Sequence, residues 1–412
     1  MFTQFYVVVV DVLTCDLCHL SSLVSPSELL AASWQLSVVG GLMAQSVVLI
    51  LLSGLTLLLP PGPLVQAVSC RDGSGQELDW WIVYKLPKSK SHGRKKWRRH
   101  NDKHHKTDRY RDEGTSYAYL TSAMPGEQWR LADLPISDPA SLPGRTLEPL
   151  YGPGGREMFS LMYNDEHPHG PTSVTRGHTK GVVVGDRNSS IWLVHSVPHY
   201  PPYPNESYSY PHTGLHYGQT ALCLSLGSDQ LEVVGRQLGY NAPYIYQVNM
   251  PAWVSQYPDM VKAASGKHVR RPPYFNTELL TTSGGEKFVT FAKYSDFGKD
   301  LYADLVAPVL KVPLLVESWP NGPGKMPSRC SGPFIVENID EMEFHELNDD
   351  DFKTTKDHSK WAISLDKKRP YVCIGDINRM ETQRRRGGGT ACFSSPTVWK
   401  TFKKSVKAIE AC

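Results

Sequence analysis

The sequence predicts a mixed α/β (α+β) fold arranged as two halves, and three observations lead there. Short β-branched and aromatic runs outnumber amphipathic helical stretches. The 33 glycines and 31 prolines punctuate those runs with turns. One pattern built on a histidine and a lysine occurs at His178 and again at His358, about half a chain later. With 40% hydrophobic and 21% charged residues among 412, the chain can bury a sizeable core, which excludes a mostly disordered protein. A net charge of +3 is too balanced for a histone-like nucleic-acid binder but leaves room for a local basic patch.

The chain opens with residues that read as a leader. Residues 43–67 hold an apolar core from Val47 to Leu59, the length of a signal-peptide h-region and short for a membrane span. Pro60, Pro61 and Pro63 break any helix, and Ala67 is the small residue a signal peptidase accepts. The region before the apolar core lacks Lys and Arg, which departs from the pattern. Residues 1–42 read as an upstream extension, with Met43 as the alternative start. The expected domains are a leader and signal peptide over 1–67, one half over 68–235 and a second over 236–412. Cleavage would leave no stable membrane association.

Cysteine usage agrees with an oxidising compartment. Cys15 and Cys18 fall in the leader, and Cys70, Cys223, Cys330, Cys373, Cys392 and Cys412 remain. An even number in a secreted chain reads as three disulfides, with fifteen connectivities open from sequence. The sequons at Asn188 and Asn205 lie in turn-rich segments and fit an endomembrane route.

Taking the elements in order, residues 79–87 (DWWIVYKLP) form the first strand. Further strands are expected at 158–163, 181–184, 191–197 and 221–226, then at 312–319, 334–338, 360–365 and 371–374. Asp186 supplies the turn after the second of these or, alternatively, an acidic site position. The clearest helix starts at Ser395 as N-cap with Pro396 in its first turn, and puts Val398, Phe402, Val406 and Ile409 on one face. Residues 88–111 carry eleven Lys/Arg and four His, either a solvated loop or an electrostatic guide for a polyanion. Residues 341–351 read as an exposed acidic loop, and Gly387 to Gly389 as a turn. Trp80, Trp81, Trp192 and Trp361 sit beside apolar strands and belong to the core rather than to a base-stacking surface. His199, His212 and His216 are loop histidines without metal-ligand spacing.

The repeated pattern carries the chemistry. Gly177-His178-Thr179-Lys180-Gly181 precedes an apolar strand, a turn and a second strand ending in His195-Ser196. Asp357-His358-Ser359-Lys360-Trp361 precedes the same sequence of elements, ending in Gly375-Asp376-Ile377-Asn378. Residues two apart in an extended segment share a face, so each motif sets an imidazole beside an ammonium. If the halves are related by a twofold, both couples meet at one cleft. Two lysines there would neutralise a phosphodiester, while one imidazole attacks phosphorus and the other protonates the leaving oxygen. The scheme needs neither metal nor cofactor.

HTKG, LVHSVP, YGQT, DHSKW, GDINR and RGGGT, with DWWIVYKLP, resemble the deoxyribonuclease II family, an acid endonuclease branch of the phospholipase-D-like superfamily. The resemblance spans residues 69–412. It implies two phospholipase-D-like halves related by a pseudo-twofold, each a mixed β-sheet flanked by helices. It also implies a DNA substrate, cut without metal to 3′-phosphate and 5′-hydroxyl ends in lysosomes or outside the cell; a composite cleft within one chain is open to a monomer or a homodimer. By the same resemblance His178 and His358 are catalytic, Lys180 and Lys360 bind phosphate, and His195, Ser196, Asp376 and Asn378 support substrate or histidine. The implied bridges are Cys70–Cys223, Cys330–Cys412 and Cys373–Cys392. The rival readings are a catalytically silent DNA-binding relative and a phospholipase of the same superfamily.

Overall fold

The computed structural model describes residues 67–89, 109–124, 128–152, 157–347 and 350–412. The leader up to residue 66, with Cys15 and Cys18, and the basic stretch from 90 to 108 lie outside the described residues. A short ribbon pairs β1 (Cys70–Arg71) with β2 (Glu77–Leu78). The first large sheet comprises β3 (Trp80–Lys85), β4 (Tyr117–Thr121), β5 (Arg130–Leu131), β6 (Phe159–Asn164), β7 (Lys180–Gly185), β8 (Ser189–His195), β9 (Gln219–Gly227) and β10 (Ile245–Asn249), in the order β10-β6-β7-β8-β9-β3-β4-β5. The second comprises β11 (Phe275–Thr281), β12 (Lys287–Lys293), β13 (Leu314–Ser318), β14 (Val336–Phe344), β15 (Asp350–Lys353), β16 (Lys360–Ser364), β17 (Tyr371–Gly375) and β18 (Gly388–Ser394), in the order β11-β12-β18-β17-β16-β13-β14-β15, with β19 (Val406–Glu410) paired to β14.

Within these sheets β6-β7-β8-β9-β3 and β13-β16-β17-β18-β12 are two five-strand runs, antiparallel throughout, in which the two histidine–lysine motifs enter the second strand. The mixed sheet expected of each half is found only in the second, where β13 and β14 are parallel; every pair in the first is antiparallel. The helices are α1 (Leu142–Tyr151), α2 (Leu231–Asn241), α3 (Pro258–Ala264), α4 (Ala307–Leu310, continuing a π-helical turn) and α5 (Pro396–Lys404). Residue 235, the expected division between halves, falls within α2, and β10 beyond it rejoins the first sheet.

The period of two along a strand explains the packing. Trp80, Ile82 and Tyr84 of β3 point into a core shared with Trp361, Ile363, Ile374 and Phe393 of the second sheet, so the two sheets face one another. Trp81 and Val83 point the other way, under α1 and the tyrosine-rich segment 200–210. Ala362 and Cys373 likewise turn outward beneath the helical segment 301–310. All four tryptophans expected in the core are buried.

The structure departs from the sequence expectation in two places. The C-terminal helix is capped by the Ser395 side chain as expected, but it stops at Lys404. Val406 and Ile409 keep helical spacing, yet their β-branched chains pair with β14 once the chain turns at Ser405, whose hydroxyl accepts a bond from the Trp129 indole. Residues 341–344 are strand rather than acidic loop, because Met342 and Phe344 alternate into the core while Glu341 pairs with Lys407. Asp186 makes a turn, its carboxylate accepting the Asn188 and Ser189 N–H groups.

Cys70–Cys223, Cys330–Cys412 and Cys373–Cys392 are bonded. The first closes the longest loop, with a sequence separation of 153 residues. Replacing Cys70 and Cys223 by serine should lower the unfolding free energy by about 2–4 kcal/mol in denaturant titration. An unchanged midpoint would mean that this bridge does not restrain the unfolded chain.

Candidate active site

Lys180 opens β7 and Lys360 opens β16, so each motif lies in the loop entering its strand. Each loop is held by the other half. The His178 N–H donates to the Gly387 carbonyl at 2.8 Å, just before β18, and its ring Nδ1 meets the Asp376 carbonyl at 2.6 Å, just after β17. The His358 N–H donates to the Gly218 carbonyl at 2.8 Å, just before β9, and its Nδ1 meets the Ser196 carbonyl at 2.9 Å, just after β8. The Gln219 amide oxygen stands 3.2 Å from the same nitrogen. A carbonyl only accepts, so Nδ1 carries the hydrogen in both rings and Nε2 keeps a lone pair when the ring is neutral.

The side-chain supports differ. Asp376 accepts from the Gly389 N–H at 3.0 Å and from the Thr179 hydroxyl, gripping the first motif between its histidine and lysine. Ser196 accepts from the Thr220 N–H at 2.9 Å and donates to Gln219 at 2.6 Å. The glycines before β9 and β18 are required by close approach: a Cβ at Gly218 would meet the Asp357 carboxylate, and one at Gly387 the Asn241 carbonyl. Gly388 and Gly389 are therefore strand residues and not the expected turn.

The lysines differ. Lys180 forms an ion pair with Asp165, which Arg386 also engages at 3.0 Å from the opposite half, and has Glu166 at 3.7 Å. Lys360 donates to the carbonyl of His358. Burial holds both histidines well below the ordinary imidazole range; Lys180, Arg386 and Lys360 add to this at His178 while Asp165 opposes it. At His358 the neighbours Lys360, Lys180 and His178 all push the same way. Burial, and then Lys180, lowers the Lys360 ammonium, so the two couples lie within electrostatic reach of one another. Burial opposes ionisation of Asp165, but Lys180, His178 and Arg386 outweigh it and hold that carboxyl low. Burial raises Asp376 to about 7 against the hydrogen bonds it accepts from Gly389 and Thr179.

Ser196 and Asp376 thus stand beside opposite histidines. Asn378 is buried, its N–H bonded to Gln383 and its Oδ1 without a partner among the described residues. His195 is fully buried: its Nδ1 accepts the Val197 N–H at 3.2 Å and its ring lies edge-on to Tyr200. His199 and His212 sit in the loops between β8 and β9. Sequence reasoning missed Trp319, whose ring packs 4.8 Å from His358, and Asp165, Gln219 and Arg386. It also missed the Asp357 carboxylate, held by Tyr84 and the Ser359 N–H behind the second motif. Asp165 follows the strand pairing with β7, a position readable only once that pairing is known.

Two imidazoles anchored through Nδ1 and two lysines, set by bonds between facing sheets, form an arrangement compatible with phosphate-ester chemistry. The family model for deoxyribonuclease II matches residues 69–412. Deoxyribonuclease-2-alpha of Rattus norvegicus is 38% identical over 352 residues, 84% of this chain and 95% of the relative. Plancitoxin-1 of Acanthaster planci and deoxyribonuclease-2 of Caenorhabditis elegans are each 35% identical, with 84% of this chain aligned to 93% and 94% of theirs. The chain belongs to the deoxyribonuclease II family and is a hydrolase of that type.

Asp376 binds its proton more tightly folded than unfolded, so its contribution to stability is present below about pH 4 and lost as pH rises toward 7. Asp376→Asn removes that titration. The stability advantage of wild type over the variant should therefore shrink by on the order of 2–4 kcal/mol between pH 4 and 7 in denaturant titrations. A constant difference would place the Asp376 titration elsewhere.

Proposed function

We propose that this protein is an acid endonuclease that hydrolyses DNA phosphodiester bonds without metal, through a phosphohistidine, leaving 3′-phosphate and 5′-hydroxyl ends. The observation that carries the reading is the reciprocal anchoring of the two rings, which leaves Nε2 of His178 and of His358 as the reacting atoms. The neutral His178 Nε2 attacks phosphorus. The P–O5′ bond breaks, and protonated His358 gives its Nε2 proton to the departing 5′-oxygen. His358, now neutral, takes a proton from water as that water attacks the phosphohistidine, which releases the 3′-phosphate and restores both rings. Lys180 and Lys360 neutralise the non-bridging oxygens.

The surroundings favour these roles. Asp165 beside His178 stabilises the cationic phosphoimidazolium, whereas His358 has cations beside it and gives up its proton readily. Protonating one ring against burial and two ammonium groups requires acid, with the bound phosphate anion assisting. The five-strand runs common to the two sheets support a pseudo-twofold relation between phospholipase-D-like halves. One chain supplies both couples, so a monomer suffices. Asn188 and Asn205 are exposed and fit glycosylation on a signal-directed route to lysosomes or the exterior, while no helix of the described residues is long and apolar enough to cross a membrane.

Supercoiled plasmid at about pH 5 with excess EDTA should be nicked and linearised, with end-labelling giving 3′-phosphate termini. His178→Ala and His358→Ala should each reduce cleavage at least ~1000-fold with folding intact, since each removes a reacting group. Plasmid retained intact by wild type would favour the DNA-binding relative, and release of headgroup from phosphatidylcholine the phospholipase.

A further inference from the structure

Each sheet buries a lysine that the reaction does not use. Lys85 ends β3 and Lys293 ends β12, strands at the same place in the two five-strand runs. Their registers correspond as well: Lys85 lies opposite Gln219 at the start of β9, and Lys293 opposite Gly388 at the start of β18. Both are buried, at 0% and 1% exposure, and among the described residues no carboxylate is within ion-pair distance of either. Lys293 donates instead to the carbonyls of Gln383, Arg384 and Arg386, at 3.0, 3.0 and 2.6 Å. An ammonium has three N–H groups, so that set is filled and none is left for a substrate phosphate. Lys85 donates to the Leu215 carbonyl at 2.8 Å.

The tethered segments are those that hold the histidines. Residues 383–386 run directly into Gly387, whose carbonyl takes the His178 N–H, and Leu215 lies three residues before Gly218, whose carbonyl takes the His358 N–H. We propose that Lys293 and Lys85 are positioning residues, each fixing the loop on which the histidine of the opposite half hangs. Burying an ammonium without an ion pair is costly, and an apolar side chain would leave the loop carbonyls unsatisfied. Around Lys293 stand Asp300, Asp376, Arg384 and Arg386, and around Lys85 stand Asp357 and Arg111; these charges leave the donor geometry to the carbonyls.

The inference rests on the proposed nuclease reading for its kinetic arm, and amide exchange judges it separately. In the full secreted chain, Lys293→Met should lower kcat on plasmid DNA at pH 5 by about 10–100-fold, as expected for a misplaced ring, with KM within about threefold. Hydrogen exchange should speed up in the peptide containing His178 and stay unchanged in the peptide containing His358. Lys85→Met should give the converse. Lys293→Gln, which keeps two of three N–H donors, should fall between wild type and Lys293→Met, and decides the matter if the methionine variant does not fold. Lys287→Ala, exposed on the same strand, should match wild type. Unchanged kcat in a folded variant, or loosening equal at both histidines, would overturn the proposal. Wild type that leaves DNA intact would instead sink the nuclease reading, with the exchange arm still deciding whether the lysines act across the halves.

Discussion

A histidine that presents one ring nitrogen to a substrate must have the other satisfied, and here each ring is satisfied by the backbone of the opposite half. His178 rests on the Asp376 and Gly387 carbonyls, and His358 on those of Ser196 and Gly218. Neither motif is complete within its own sheet. The site therefore exists only when both sheets face one another in register, which ties the chemistry to the whole core between them. Neutral carbonyls as ring partners add no charge, so burial and the neighbouring lysines and carboxylates set the protonation of each imidazole.

That division of labour makes a symmetric scaffold electrically asymmetric. Lys180 has a carboxylate partner that Arg386 shares, while Lys360 answers to a backbone carbonyl, with Asp357 and Glu317 buried behind it. Burial raises both of those carboxyls, and Lys360 works against the rise. Two rings held by the same backbone device thus face different fields, which is what a reaction with one nucleophile and one acid needs.

Much of this was legible in the sequence because it depends on local pattern. The runs at 79–87, 221–226 and 360–365 are apolar and β-branched, and each became a strand. The motifs announced themselves by recurrence. What stayed hidden depends on pairing at a distance. β11 mixes polar and apolar residues and β18 opens on glycines, so pairing sets their place, whereas β4, β10 and β12 are rich in Tyr, Phe, Val, Ile and Thr and bear a local strand signal. α2 has two glycines in its interior, and its place is set by packing against β12 and by the left-handed Ala242 that ends it. Val406 and Ile409 misled because residues three apart share a face in a helix, whereas here register shifts in the pairing with β14 bring both against the core from a strand. Asp165, Arg386 and Trp319 are ordinary residues until the sheets bring them beside a histidine or its lysine.

The chemistry of both rings turns on the hydrogen at Nδ1. Nitrogen-15 spectra of the histidine-labelled protein, assigned through His178→Gln and His358→Gln, read the tautomer of each ring directly. Both should appear as neutral Nδ1–H rings with unprotonated Nε2 near pH 7. A neutral ring with its proton on Nε2 and none on Nδ1 would mean that its carbonyl anchor is absent, and with it the cross-half arrangement on which the chemistry depends.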